Sequence, residues 1–455
     1  MEEKRNDFTK GSVQKNIMNL ALPMILAQLI NVLYNVVDRM YIGRIPDAAT
    51  LALTGLGLTF PIITIINAFA NLFGMGGAPL CSIARGKNDN ERAEKIMGNS
   101  FSMMILVGII LMIICFIFKK PILYYFGASD ITFPYANAYI TIYLFGTLFV
   151  MIGLGMNSFV NSQGFGKIGM MTVLLGAIVN IILDPIFIFL FDMGVQGAAL
   201  ATIISQFLSA TWILKFLTGK KAILKLRRKT MKLDFKLIKE IVTLGFSGFV
   251  MSVTNSAVQV ICNTSLQFYG GDLYVGVMTV INSIREILTM PVNGMTNASQ
   301  PVLGYNYGAN EYKRVRTGIK FISVISVSYT VLIWLLLMLI PEIFIRIFNN
   351  DPTLIAACKS SMKIYFFSFF MMSLQFAGQS TFVALGKSKQ AVFFSLLRKA
   401  IIVIPLTLLL PRLFSLGTAG VFLAEPISDI IGGSACYLTM LITVFRHLKQ
   451  EEKMH

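Results

Sequence analysis

Apolar runs of roughly 20 or more residues recur twelve times along this chain, and nothing else in the sequence constrains its fold as strongly. A backbone that crosses a bilayer must satisfy every N–H and C=O internally, so only helices or a closed barrel qualify. Barrel strands read as short alternating segments, and these runs are long and continuous, so the spans are helices. With 55% hydrophobic and 13% charged residues among 455, the chain carries more apolar surface than a soluble globule of its size could bury. The expectation is an all-α polytopic membrane protein.

Gly, Pro and charge punctuation places spans near 17–42, 51–83, 98–118, 133–162, 168–190 and 197–217. After the basic stretch TGKKAILKLRRKTMKLDFK come six more, near 238–268, 273–303, 318–341, 358–384, 390–410 and 417–445. The expected organisation is a six-helix bundle over 1–217, a cytoplasmic basic linker over 218–236 and a second six-helix bundle over 237–455. Basic residues gather in alternate loops. Lys4, Arg5, Lys10 and Lys15 precede the first span, Arg85, Lys87, Arg92 and Lys95 follow the second, and Arg446, Lys449 and Lys453 close the chain. The positive-inside rule then puts both termini in the cytoplasm of a multi-pass cell-membrane protein. The same rule accounts for the net charge of +17 without any nucleic-acid partner. The charged N-terminal segment lacks the order of a signal peptide.

An internal repeat organises the chain. GMGGAPLCSIARGKNDNERAEKIMGNSF (74–101) lies over GMTNASQPVLGYNYGANEYKRVRTGIKF (294–321) at an offset of 294 − 74 = 220. The same offset pairs Gly166-Lys167 with Gly386-Lys387, Pro121 with Pro341 and Pro185 with Pro405. Six spans per half is an even number, so both halves enter the membrane alike, as a 6+6 parallel repeat with a central cleft.

Against this apolar background a few polar residues stand out. VNIILDPIFIF (179–189) puts Asp184 in mid-helix, one turn from Asn180 on the same face. Pro185 removes a backbone donor and crowds the Ile181 carbonyl, so it can bend the helix beside the acid. Counting residues at ~1.5 Å each from the helix ends brings Asp38, Asp184 and Thr202 to a similar depth in the outer half of the bilayer, with Asn180 one turn deeper. Two carboxylates, an amide and a hydroxyl suit either a Na⁺ ion or a shared proton. The adjacent Arg39 is the competing partner for Asp38. Elsewhere Arg285, Glu286, Arg398, Lys399, Glu425 and Asp429 lie at membrane depth and are expected mainly to pair with one another or to line water. Glu286 is also placed to meet a cationic substrate at a midplane cleft.

LYNVVDRMYIG (33–43), NIILDP (180–185), GAALAT (197–202) and SQPVLGYNYGA (299–309), in register with twelve spans, resemble the multidrug and toxic compound extrusion (MATE) family, closest to its bacterial multidrug export branch. The resemblance covers essentially residues 15–445. It implies a secondary active transporter that exports hydrophobic and often cationic compounds by Na⁺ or H⁺ antiport and alternating access, and it implies a cation site at Asp38, Asn180, Asp184 and Thr202. Substrate contacts would fall at Tyr34, Tyr139 and Asn157. Some branches carry acids in spans 7 and 10, where this chain offers Asn255, Gln375 and Gln379; Gln375 is a further polar candidate for substrate. Partners are then small lipophilic cations and the lipid bilayer, for a monomer without cofactor.

Other classes fit less well. GKS at 386–388 follows an apolar helix and has Thr381 where a phosphate loop needs glycine, which argues against ATP hydrolysis. Both histidines, His447 and His455, lie in the C-terminal tail, so no histidine-based catalytic or metal site is expected within the membrane and the chain is not read as an enzyme. The five cysteines show no paired spacing and read as packing residues. The alternative function is a lipid-linked saccharide flippase of the same wider superfamily, for which Arg285, Arg398 and Lys399 could serve a pyrophosphate. A channel or scaffold would not explain an acid cluster confined to one half.

Overall fold

The computed structural model describes residues 6–46, 49–348 and 351–454. Lys4 and Arg5 of the N-terminal basic cluster lie outside them. The first half contains α1 (Val13–Ile42), α2 (Ala49–Gly86), α3 (Asn90–Tyr125), α4 (Phe133–Phe145), α5 (Thr147–Ser162), α6 (Gly166–Pro185) with a π-helical turn Ile186–Leu190, and α7 (Gly194–Thr218). The second contains α8 (Phe235–Gly308), α9 (Tyr312–Leu339), α10 (Pro341–Arg346), α11 (Pro352–Tyr365), α12 (Phe369–Ala384) and α13 (Ser388–Leu396). A π-turn Leu397–Val403, α14 (Ile404–Leu409), α15 (Thr418–Met440), a π-turn Leu441–Phe445 and α16 (Arg446–Met454) complete it.

Among the described residues nine helices are long and apolar enough to cross a bilayer, and the bent pairs α4/α5 (59°) and α11/α12 (50°) raise this to eleven. Within α8, Gly271 has φ +66° and ψ −165°, a left-handed break that glycine adopts without a Cβ clash. Counting α8 as two spans across that break gives the expected twelve. This is a multi-pass α-helical membrane protein.

Two compact units divide the chain. One comprises residues 1–7 and 22–245, the other 8–21 and 246–455. The basic segment 218–236 is built into the first unit: Leu224 N–H donates to Gln163 Oε1 (2.8 Å), Asp234 N–H to Asn99 Oδ1 (2.7 Å) and the Ser102 hydroxyl to the Met231 carbonyl (2.8 Å). In the second unit the Arg314 guanidinium donates to the carbonyls of Phe8 (2.7 Å) and Gly11 (2.9 Å), fastening the segment before α1.

In the first unit α2 packs on α3 and α5, and α6 packs on α7; in the second α12 packs on α15 and α9. Small residues permit close crossings where lipid offers no hydrophobic drive. At the crossing of α2 with the start of α8, a Cβ at Gly76 would collide with the Ile241 carbonyl, and one at Gly245 with the Leu72 carbonyl. Gly245→Leu should therefore force these backbones apart at a cost of at least about 1–3 kcal/mol, read as a lower thermal midpoint and a loss of monodisperse protein on size exclusion. Wild-type midpoint and yield would refute the close-packing account.

The internal repeat is present in the backbone, at a register two residues away from the sequence offset. Left-handed Asn88 and Asn310 are 310 − 88 = 222 apart, and left-handed Gly164 and Gly386 are 386 − 164 = 222 apart. The turns match too, with Asp89 N–H donating to the Ala84 carbonyl and Glu311 N–H to the Asn306 carbonyl. The offset of 220 aligned scattered identical residues, whereas turn conformation fixes which residues are equivalent. Pro185 and Pro405 are consequently not counterparts. Pro185 precedes its π-turn, while Pro405 follows the turn at 397–403 and crowds the carbonyl of Ile401 inside it.

Candidate functional site

The first candidate site is assembled from two helical stripes. On α1, Leu22, Leu26, Leu29, Leu33, Val36 and Met40 form an exposed apolar stripe at spacings of three and four, suited to acyl chains. Turned away from it, Asn31, Tyr34 and Asp38 line a cavity of about 260 Å³ within the first unit. On α6, Thr172, Gly176, Asn180 and Asp184 recur every four residues on the buried face, while Ile178 and Ile182 are exposed on the other. Tyr139 and Tyr143 from α4, Asn157 from α5 and Thr202 from α7 complete the polar wall.

Asp184 is 0% exposed, Asn180 1% and Asp38 9%. The Asn180 amide donates to Asp184 Oδ1 (3.2 Å) and, more weakly, to Thr202 Oγ1 (3.5 Å), and the Thr202 hydroxyl donates to the Ala198 carbonyl (3.0 Å). Asp38 and Asp184 approach each other closely enough to interact directly, and Tyr34 lines the cavity with Asp38 within electrostatic range of both acids. Arg39 is turned onto the Phe60 ring, 5.0 Å from its centroid. Asp38 Oδ1, Asn180 Oδ1 and Asp184 Oδ2 are buried oxygens that no donor among the described residues satisfies. Two facing carboxylates with unsatisfied oxygens require a proton between them or a small cation among them. All available ligands are hard oxygens, which fits Na⁺. The structure thus brings together Asp38, Asn180, Asp184 and Thr202, and of these Asp38 and Thr202 share the cavity wall with Tyr34, Tyr139 and Asn157.

A second cavity of about 320 Å³ lies within the second unit, lined among others by Asn255, Asn282, Arg285, Glu286, Tyr365, Lys399 and Glu425. Its floor is an ionic network. Glu425 Oε1 accepts from Arg285 (2.6 Å), Arg398 (2.8 Å) and Lys399 (2.7 Å), Arg398 also pairs with Asp429 (2.5 Å), and the Arg285 guanidinium donates to the Tyr365 hydroxyl (2.7 Å). The π-turn 397–403 carries both Arg398 and Lys399, and the two neighbours reach the same carboxylate from it. Glu286 stands exposed at the cavity edge, outside this network.

Gln375 does not line the cavity. It is buried, with its amide 3.5 Å from the Phe394 carbonyl and its own carbonyl near Cys436 Sγ, a packing position between α12 and its neighbours. Gln379 likewise donates to the Ala391 carbonyl (2.7 Å) and the Ser395 hydroxyl (2.9 Å). All five cysteines are buried and free. The hub role of Glu425 was missed in the sequence; its placement in AEP, in an apolar helix beside a proline, resembles the Asp184-Pro185 signal and could have drawn equal attention.

The family model MatE matches residues 23–186 and 248–409. Among curated proteins, the chain is 25% identical over 440 residues to the multidrug export protein MepA of Staphylococcus saprophyticus, covering 96% of this chain and 95% of that one. It is 27% identical over 438 residues to MepA of Staphylococcus haemolyticus, covering 96% and 94%. Among solved structures, a multidrug resistance MATE family transporter of the MOP superfamily in an outward-facing conformation superposes with a TM-score of 0.90 at 20% identity, covering all of both chains. A MATE crystal structure in the bent conformation gives 0.91 at 20% identity, covering 99% and 98%. The two structures share the fold.

Proposed function

Because the chain belongs to the MATE family of membrane transporters, and so to no family of enzymes, we propose that it exports hydrophobic and often cationic small molecules by antiport with Na⁺ or H⁺. The observation that carries the coupling site is the group of oxygens of Asp38, Asn180 and Asp184 with no donor among the described residues, buried behind the part of the first cavity that Asp38 and Thr202 line. Cation or proton entry there neutralises the carboxylate pair and changes the packing of α1 against α6, which weakens substrate binding. Tyr34, Tyr139 and Asn157 supply aromatic faces and an amide to an amphipathic substrate in the same cavity. The export assignment itself is supported by the relatives named as multidrug export proteins. Both termini are assigned to the cytoplasm of the cell membrane on loop charge, and the working unit is a single chain.

Proteoliposomes containing the full chain, loaded with the lipophilic cation ethidium, test this when a Na⁺ gradient and a pH gradient are imposed separately. One of them should drive efflux several-fold above empty vesicles. Efflux under neither gradient, with transfer of a lipid-linked saccharide between leaflets, would replace this reading with the flippase.

A further inference from the structure

We propose that the second cavity is an anion site that takes the carboxylate of an amphipathic small molecule on Lys399 and Arg285. The inference deepens the export reading by naming a substrate feature, and its site is separate from the coupling residues. Within the network, Arg285, Arg398 and Lys399 carry three positive charges and Glu425 and Asp429 two negative ones, leaving a net charge of one positive although each cation is paired. The network's donors are also in surplus. All three cations converge on one oxygen of Glu425, and both Lys399 and Arg285 line the cavity with N–H groups that, beyond the bonds to Glu425 and Tyr365, have no acceptor among the described residues. Lys399 is only 5% exposed, where an uncompensated charge is costly.

A carboxylate entering the cavity would neutralise that charge and accept those donors, while Asn255 and Asn282 offer amides nearby and Met278, Met372 and Phe376 supply an apolar wall for the rest of the molecule. Glu286, the remaining acid on the lining, stands exposed at the edge and forms no ion pair with the network among the described residues. An excess of one charge fits a single carboxylate. A pyrophosphate would need several cations free of carboxylate partners, and here three cations share two acids.

The test is equilibrium binding to the full chain in nanodiscs, without any gradient, using dansyl-phenylalanine and its methyl ester and subtracting signal from empty discs. The wild type should prefer the acid by about tenfold or more, the scale of charged hydrogen bonds in a buried site. Lys399→Met leaves two cations facing two acids, a balanced network, and should bring the preference to about one, while Lys399→Arg should retain it. Thermal midpoints close to wild type establish that Lys399→Met is folded. Should that variant be unstable, Lys399→Gln serves in its place. Equal binding of acid and ester by the wild type, or an unchanged preference in folded Lys399→Met or Lys399→Gln, would overturn the proposal. Discs of neutral lipid and discs containing phosphatidylglycerol separate the sources of anion. Acid binding that survives in both supports a small-molecule site, whereas loss only in phosphatidylglycerol discs would reassign the site to lipid headgroups. Binding without export would defeat the antiport reading and leave this one standing.

Discussion

Asp184→Asn should abolish ion-driven efflux in proteoliposomes while leaving a folded protein. Each coupled charge draws about 2.3 kcal/mol from a potential of 100 mV, which corresponds to an accumulation ratio of about fiftyfold. That ratio should collapse to one when Asp184 loses its carboxylate, and Asp38→Asn should behave alike because the two acids form one pair. Misfolding is not the expected cause of the loss. Among the described residues Asp184 Oδ1 accepts from the Asn180 amide alone, and the carbonyl of an asparagine can accept the same bond. The substitution also relieves repulsion between facing carboxylates, so the thermal midpoint should hold or rise. Gradient-driven ethidium efflux at the wild-type rate in both variants would show that the coupling site lies elsewhere.

Glu425→Gln should have the largest effect on stability. It removes the acceptor that three buried cations share, leaving Arg285, Arg398 and Lys399 with only the Asp429 carboxylate. Losing one partner of a buried ionic network costs about 3–5 kcal/mol, because the surviving charges stay desolvated. In solution this should appear as a sharply lower thermal midpoint and little monodisperse protein. Adding Lys399→Met to Glu425→Gln removes one of the stranded cations and should recover part of the loss, a coupling that independent sites would not show. Equal midpoints for Glu425→Gln and wild type would mean that the network does not hold α8, the π-turn 397–403 and α15 together.

Several elements of this fold could be read from residues alone because their cause is local. Twelve apolar runs force twelve helices, since a bilayer leaves the backbone no other way to satisfy its hydrogen bonds. Asn180 and Asp184 sit on one face because they are four residues apart on a helix. The gathering of Asp38 and Thr202 to them was legible from depth, as helical rise converts residue count into position along the membrane normal. Other features were decided by contacts distant in sequence. Gln375 resembled a pocket residue in a polar stretch of span 10, yet it is turned into packing against Phe394 and Cys436. The basic stretch 218–236 read as a linker between the bundles, and long-range hydrogen bonds build it into the first unit through Asn99, Ser102 and Gln163.

The sequence by itself determined the membrane class, the number of spans, the paired halves and the acid cluster of the first half, because periodicity, hydropathy and polar residues in apolar runs are properties of short stretches. Only the tertiary structure decided the register of the repeat, which rests on left-handed turns at Asn88, Gly164, Asn310 and Gly386. It also decided that cations from two separate spans meet at the single carboxylate of Glu425 on a third. Charge pairing depends on which helix faces neighbour one another and on how a π-turn rotates Arg398 and Lys399, and neither is encoded in the spacing of any one segment.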